Sequence, residues 1–268
     1  MRTRSTFTLP LFMVMAVFLA ACLPAAPAPL ATPTTTTAAP PKATPAIQAS
    51  FPMAITDDAG RQVTVKLEPQ RIISLAPSNT EILFALGLGD KIVGVTTYCD
   101  YPEEAKAKPK IGGLTDVNME LVMAATPDLI LATGLQAKQI VPALEGRGLT
   151  VVVIEPGNMG EVLAAIGMVG RITGRAGEAE KLVEKMQARI KDITNKVAAS
   201  GTSPRVFWEI SRELYTPGPS SFIGDMIAQA GGSNIVKDAS IKYPRLSQEV
   251  VIASDPEVII VGDHTLQV

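Results

Sequence analysis

A duplicated segment constrains the fold of this chain more than any other feature of its sequence. Residues 118–133 and 247–262 share one pattern at a constant offset of 129 residues: a polar residue, a glutamate two positions later, an apolar run, a proline, an acid and a second short apolar run. The polar residue and the glutamate are typical of a helix N-terminus, and the run after the acid is typical of a buried strand. The repeat therefore predicts two similar α/β lobes, each with one acidic side chain at an equivalent place.

The first 22 residues have the pattern of an export signal. Arg2 and Arg4 precede an apolar run at residues 11–21, which is shorter than the roughly 20 residues that span a bilayer and matches the apolar region of a secretory signal. The run ends in Leu-Ala-Ala-Cys at residues 19–22, which resembles a lipoprotein signal-peptidase site. That resemblance implies that Cys22 is lipidated and holds the protein on a membrane outside the cytoplasm. The alternative is an ordinary secretory signal with an incidental cysteine.

Residues 23–52 form a segment of different composition. Between residues 24 and 50 the sequence is rich in Ala, Pro and Thr and contains no acidic or aromatic residue, so it cannot bury a core. We expect an extended tether that reaches about 80 Å if its roughly 27 residues adopt polyproline geometry.

Composition argues against several classes of function. The chain has 24 basic and 26 acidic residues and no basic run, which argues against nucleic acid as a partner. Cys22 and Cys99 are the only cysteines, so the lipidated protein has no intrachain disulfide and Cys99 is expected to be a packing residue. His264 is the only histidine, which argues against a zinc or manganese site and a Ser/His/Asp catalytic set. Since nucleotide-binding and hydrolase motifs are also missing, we expect neither an enzyme nor a bound cofactor.

The folded part divides into three regions. Residues 53–157 contain a hairpin and then strand–helix units, which predict a parallel sheet with helices on both faces, and Ser78 and Glu81 have the spacing of a capping box. Residues 158–201 are helical, with breaks expected at Gly174 and Gly177 and a long amphipathic helix after them that joins the lobes as a strut. Residues 202–268 repeat the strand–helix pattern with fewer units, so we expect a second α/β lobe that is incomplete in this chain and ends in an edge strand.

Three groups of residues carry a resemblance to a known family. They are residues 69–81 (PQRIISLAPSNTE), residues 94–102 (GVTTYCDYP) and the two repeated segments. In this order they resemble the periplasmic-binding proteins of cobalamin and iron–siderophore ABC importers. The resemblance implies class III architecture, with two Rossmann-like α/β lobes joined by one long helix, a ligand held between the lobes and only small closure. It also implies a monomer that delivers its ligand to an ABC permease dimer with its ATPase.

The same resemblance gives the repeated glutamates a role. In the cobalamin-binding members, one surface glutamate of each lobe docks into an arginine pocket of the permease, and the matching positions here are Glu120 and Glu249. Two acids on rigid helix starts, one per lobe, suit two basic sockets of a two-fold symmetric partner. The alternative is that each glutamate only interacts favourably with its helix dipole, which contributes about 0.3–1 kcal/mol.

Ligands of open α/β lobes bind beyond the carboxyl ends of the strands. The residues that we expect at this edge and assign to the ligand are Ser78, Asn79, Tyr98, Tyr101, Leu114, Arg212, Tyr215, Tyr243 and Arg245. Their tyrosines suit a large conjugated ligand, and Tyr101 and Tyr243 match aromatic cleft positions of the cobalamin-binding members.

The ligand prediction has alternatives. Residues 113–114 and 133–134 lack the tryptophans of the cobalamin-binding members, and Arg212 and Arg245 suit an anionic ferric siderophore or haem as well. A corrinoid is still favoured, because Tyr101 and Tyr243 match the cobalamin-binding members, and haem is the weaker of the two alternatives. A tethered sensor or adhesin ectodomain without a transporter is the alternative from another class.

Overall fold

Residues 50–262 are described by a computed structural model of the chain. The first lobe begins with an antiparallel hairpin of β1 (Met53–Thr56) and β2 (Gln62–Val65), as predicted. A parallel sheet follows, with the strands β3 (Ile72–Ser74), β4 (Ile92–Val95), β5 (Leu129–Ala132) and β6 (Val151–Val153) in the order β4-β3-β5-β6. Its helices are α1 (Pro77–Ala85), α2 (Glu103–Lys106), α3 (Met119–Ala124) and α4 (Ile140–Glu145).

The strands of this sheet are buried on both faces. All residues of β3, β5 and β6 are buried, and two separate apolar clusters lie on opposite sides of the sheet. This confirms the predicted parallel sheet with helices on both faces, because side chains of neighbouring strand positions point to opposite faces. Cys99 is 1% exposed and belongs to one of these clusters, as expected for a packing residue.

Two local predictions were wrong. The capping box at Ser78 does not form, because α1 begins two residues earlier than a Ser78 cap requires, with Pro77 at its first position and Ala76 as an N-cap residue that makes no side-chain hydrogen bond. Proline fits the first helical position, where its missing N–H has no intrahelical partner to lose. Gly177 also does not break the helix. The break lies at residues 173–175, with Gly174 at φ +72°.

Two helices follow the first lobe: α5 (Met159–Ile172) and α6 (Ala176–Ser200). The early turns of α6 pack on the first lobe through Ala179, Leu182, Val183 and Met186. Its later turns lie against α7 (Phe222–Gln229) of the second lobe, where a small apolar cavity of about 180 Å³ is lined by Ile190, Ile193, Met226 and Ala230. Because α6 contacts both lobes along one stripe, it is the strut that its apolar spacing predicted.

The second lobe is built around three strands within the described residues. Its sheet has the order β8-β7-β9 with all strands parallel, and its elements are β7 (Arg205–Glu209), α7 (Phe222–Gln229), β8 (Ser233–Asn234), α8 (Gln248–Ala253) and β9 (Val258–Val261). The strand β9 lies at the edge of this sheet and exposes Ile259. That the second lobe is incomplete stays a prediction.

The repeat predicted from the sequence extends to hydrogen bonds. Asn118 caps α3 by accepting from the backbone N–H of Leu121, and Ser247 caps α8 by accepting from the N–H of Val250. Each helix is followed by a residue in the left-handed region, Thr126 at φ 42° and Asp255 at φ 43°.

An arginine fastens each copy to its sheet. Arg71 Nε donates to the carbonyl oxygen of Thr126 (3.2 Å), and Arg205 Nε donates to that of Asp255 (2.7 Å). The backbone N–H of the same arginine donates to Asp128 in the first lobe and to Glu257 in the second. The two helices are thus held in the same way, and we call this arrangement the arginine clamp.

Candidate ligand cleft and docking helices

A buried glutamine joins three loops at the carboxyl edge of the first sheet. The side-chain amide of Gln136 donates to the carbonyl oxygens of Leu75 (3.2 Å) and Leu114 (2.9 Å), and its Oε1 accepts from the backbone N–H of Thr133 (2.7 Å). Buried polar groups of this kind are costly to leave without partners, so the network fixes the loops relative to one another. Gln136 therefore positions Leu114, one of the predicted ligand residues.

The two neighbouring predicted ligand residues Ser78 and Asn79 differ in their exposure to solvent. Ser78 is exposed, whereas Asn79 is fully buried and its side-chain amide donates to the carbonyl oxygen of Ala132 at the end of β5 (3.1 Å). Oδ1 of Asn79 is buried without a hydrogen-bond partner among the described residues. In this structure Asn79 thus ties α1 to the sheet, and a ligand reaches Ser78 more easily.

All four tyrosines of the chain are exposed in loops that follow strands, and such loops begin at the carboxyl edges of the sheets. Their exposed fractions are 60% for Tyr98, 68% for Tyr101, 44% for Tyr215 and 47% for Tyr243. Tyr98 and Tyr101 follow β4 in the first lobe, and Tyr215 follows β7 in the second. Rings that are exposed at these edges are available to a ligand, whereas packing would have buried them.

Tyr101 also borders a concavity of about 510 Å³ on the first lobe. Its other lining residues include Glu81, Phe84, Asp90 and Glu104, and none comes from the second lobe. This concavity is therefore distinct from the space between the lobes in which the sequence predicts the ligand.

Three of the ligand residues predicted in the second lobe lie on a short antiparallel ribbon. Tyr215 pairs with Arg245 across this ribbon, which is fastened by backbone hydrogen bonds from Thr216 to Pro244 and from Gly218 to Lys242. Arg245 is held by a hydrogen bond from its Nε to the carbonyl oxygen of Glu213 (3.1 Å). The ribbon brings Tyr215, Tyr243 and Arg245 together and leaves Arg212 in the loop just before it.

The two predicted docking glutamates lie at equivalent places. Glu120 is the second residue of α3 and Glu249 is the second residue of α8, and both are exposed. Two hydrogen bonds hold the pKa of Glu249 below its usual range. The larger effect comes from the side chain of Ser247 and the smaller from the backbone N–H of Glu249. Glu249 is therefore a carboxylate at neutral pH, as a partner with a basic socket requires.

The lobes touch at the start of α5. The backbone N–H of Met159 donates to Asp225 Oδ2 on α7 (3.0 Å), and the side chain of Gln229 donates to the same oxygen (2.6 Å). The first residue of a helix has no intrahelical acceptor for its N–H. Asp225 of the second lobe supplies that acceptor.

Similarity to known proteins is consistent across sequence and structure. The periplasmic binding protein family matches residues 72–267. The chain belongs to this family. A substrate-binding lipoprotein of an ABC transporter from Bacillus subtilis (strain 168) is 36% identical to this chain. The match covers 80% of this chain and 70% of the length of the Bacillus protein.

Two further similarities concern named ligands. A cobalamin-binding protein from Halobacterium salinarum is 32% identical over 80% of the chain, and the match spans 59% of that relative's length. The periplasmic haem-binding protein RhuT from Roseiflexus sp. RS-1, in its apo form, superposes with a TM-score of 0.67 at 29% identity, over 74% of this chain and 78% of that one. The names of these relatives describe binding proteins and not enzymes, which agrees with the prediction made from the motifs.

The sequence reasoning missed several residues of this binding protein. Gln136, Asp225 and the two arginines of the clamp were assigned no role. The clamp had a signal, because an arginine stands directly before β3 and another is the first residue of β7. Asp225 had none, since one acid on an amphipathic helix does not reveal a contact with another lobe.

Two absences complete the description. Within residues 50–262 no group of three or more His, Cys, Asp or Glu side chains is placed to hold a metal ion. In the same part of the chain no helix combines the length and the apolar character needed to cross a membrane. Cys22, most of the predicted tether and His264 lie outside the described residues.

Proposed function

We propose that this binding protein is the monomeric, lipid-anchored substrate-binding component of an ABC importer and carries a corrinoid to the permease dimer. It would hold the ligand between its lobes outside the cytoplasm. The similarity to the lipoprotein of an ABC transporter and to a cobalamin-binding protein supports this role. The similarity does not reach the full length of those relatives, so the ligand and the partner rest on residues of this chain.

The observation that carries the proposal is the exposure of every tyrosine of the chain in the loops that follow the strands. A corrinoid offers a broad conjugated face, and an aromatic ring that stacks on it contributes roughly 0.5–1.5 kcal/mol beyond area burial. Tyrosine also has a hydroxyl group that remains hydrated at the rim of the ligand. Tyr98 supplies such a ring from the first lobe, and Tyr215 and Tyr243 supply them from the second, whereas Tyr101 borders the separate first-lobe concavity.

Haem or a ferric siderophore is the second candidate class. Arg245 lies opposite Tyr215 on the second-lobe ribbon, and a guanidinium beside a ring suits the carboxylates of haem or an anionic siderophore. The structural similarity to a haem-binding protein supports the same reading. We rank it second because aromatic surface predominates among the predicted ligand residues.

A fluorescence titration separates these ligands. Trp208, the only tryptophan, lies half-buried in β7 of the second lobe, so the quenching signal has a single source. We expect saturable quenching of the protein lacking its signal peptide by cobalamin and cobinamide, and weaker binding of haem and ferric siderophores. Titration of free N-acetyltryptophanamide corrects for absorption by the ligand. Saturable quenching by haem or a ferric siderophore, without saturable quenching by the corrinoids, would favour the second ligand class over a corrinoid.

Docking to the permease is assigned to Glu120 and Glu249. Both are exposed at the same position of equivalent helices, and paired charges on a rigid frame orient a complex and raise its association rate. We expect the double variant E120K/E249K to bind its ligand as the unmodified protein does and to support no uptake into cells. Glu184, exposed on α6, provides the control E184K, which keeps uptake. Normal uptake by the double variant would refute the docking role and would also favour a sensor or adhesin without a transporter.

The lipid anchor is tested separately. Replacement of Cys22 by serine removes the thiol that a lipoprotein transferase needs, so we expect C22S to move from the membrane fraction to the soluble extracytoplasmic fraction. A C99S variant is the control, since Cys99 is buried in the first lobe. Membrane retention of C22S would show that the segment is not a lipoprotein signal.

A further inference from the structure

Each docking glutamate is flanked by exposed apolar side chains. In the first lobe Leu121 is 46% exposed and Met123 is 41% exposed; in the second, Val250 is 48% exposed and Ile252 is 77% exposed. We call these the first-lobe patch (Glu120, Leu121, Met123) and the second-lobe patch (Glu249, Val250, Ile252). The positions correspond one to one at the offset of the repeat, 129 residues.

Helix geometry places the carboxylate between the two apolar groups. Successive residues of an α-helix turn by about 100°, and the buried position of α3 is Val122. With Glu120 as reference, Leu121 then lies about 100° to one side and Met123 about 60° to the other, while Val122 faces inward at about 200°. The same arithmetic holds for α8, in which Val251 is the least exposed residue of its helix.

Isolated exposed apolar residues are common on protein surfaces and carry no functional information. The repetition is different, because the same three-residue arrangement occurs on both lobes. The arginine clamp holds both helices by the same hydrogen bonds, so both patches are presented on equivalent frames. A pair of equivalent patches, one per lobe, fits a partner that has two equivalent surfaces of its own.

We propose that the two patches are mixed docking surfaces and that the permease dimer receives each glutamate in a basic socket with an apolar rim. This inference rests on the proposed docking function and names the additional residues, Leu121, Met123, Val250 and Ile252, that supply affinity. The carboxylates steer the complex and set its orientation, an effect that salt screens. The apolar groups exclude water around each charge pair, and their contribution does not depend on salt.

The experiment measures binding of this protein to the ABC permease–ATPase complex of the source organism, reconstituted in lipid nanodiscs. The variants are L121S/M123S, V250S/I252S and the four-fold combination, compared with E120Q/E249Q over a range of NaCl concentrations. We expect each apolar pair to weaken binding about tenfold, as loss of a few half-exposed apolar side chains from an interface does. The salt dependence should stay that of the unmodified protein, whereas E120Q/E249Q should flatten it.

The control is L67S, since Leu67 is as exposed as Ile252, at 77%, and belongs to neither patch. Ligand binding by every variant verifies folding, because all substituted side chains point outward. Unchanged affinity of the apolar variants together with weakened E120Q/E249Q would overturn this inference and leave docking by the glutamates intact. Unchanged affinity of both sets would refute docking itself. Equal retention of the protein by nanodiscs that contain lipid alone would assign the patches to the membrane and overturn the inference as well.

Discussion

The backbone N–H of Met159, the first residue of α5, donates to Asp225 Oδ2 in the second lobe, at 3.0 Å. Asp225 in turn is held by Gln229, one turn later on the same helix. A carboxylate at a helix N-terminus also interacts favourably with the helix dipole. This pair therefore connects α5 to the second lobe beside the strut, because Met159 lines the same small cavity as Ile190 and Ile193 of α6.

Removal of the Asp225 carboxylate should loosen the lobes. We expect D225A to lower the free energy of unfolding by about 1–3 kcal/mol, because the Met159 N–H loses its acceptor, and to speed hydrogen exchange at that amide. D225N keeps a side-chain oxygen and should lose less. Denaturant unfolding followed by Trp208 fluorescence and exchange mass spectrometry provide the measurements. Exchange at Met159 as slow in D225A as in the unmodified protein would mean that the contact is not maintained in solution.

Gln136 should control ligand affinity without touching the ligand. Q136A leaves the carbonyl oxygens of Leu75 and Leu114 without its donor, and we expect a loss of about 2–4 kcal/mol in stability together with weaker ligand binding. Q136E is the sharper test, since its carboxylate still accepts from Thr133 and cannot donate. Its defect should diminish at acidic pH, where the carboxyl group regains a donor. Stability of Q136E equal to that of the unmodified protein at pH 7 would contradict this account.

Asp57 should make stability depend on acid pH. Burial raises the pKa of this carboxyl, but hydrogen bonds from the backbone of Val153 and Arg61 and the Arg61 guanidinium outweigh burial, so its pKa lies below the ordinary value. A lowered folded pKa adds stability that is complete above the unfolded value, about 3.9, and is lost as pH falls through the folded value.

The D57N variant isolates that contribution. We expect it to be less stable than the unmodified protein by about 2–4 kcal/mol at pH 7, because it breaks a buried network that joins the hairpin to β6. The difference between the two proteins should shrink below about pH 4. Urea unfolding between pH 3 and 7 measures it. A difference in free energy of unfolding that stays constant down to pH 3 would show that the charge of Asp57 is not the stabilising feature.

The second-lobe tyrosines should act through their rings. We expect Y215F and Y243F to keep cobalamin affinity within about twofold, and Y215A and Y243A each to weaken it about tenfold, since the stacking surface and not the hydroxyl carries the contact. Isothermal titration calorimetry with cobalamin provides the dissociation constants. Equal affinities of the alanine and phenylalanine variants would exclude ring stacking at that position.

The sequence predicted the fold well where periodicity and duplication act together. The repeat at 118–133 and 247–262 predicted α3–β5 and α8–β9, and the apolar stripe of α6 predicted a helix in contact with both lobes. These features depend on local pattern, which a single sequence contains. The start of α1 was wrong by two residues because two local rules compete there, and Pro77 at the first helical position prevailed over Ser78 as a cap.

The site was less predictable than the fold. The expectation of tyrosines near strand ends needed only strand positions, and their exposure agrees with it. The roles of Asn79 and Gln136 depend on which carbonyl oxygens of distant loops come within hydrogen-bond reach. Such contacts are a property of the tertiary structure and leave no trace in spacing along the chain.

The helix α6 has 25 residues, which at about 1.5 Å per residue gives roughly 37 Å of stiff rod. If the two patches bind one symmetric partner, this rod sets their separation, and its length becomes a recognition element in its own right. A homologue with identical surface chemistry and one helical turn fewer would engage one socket and miss the other.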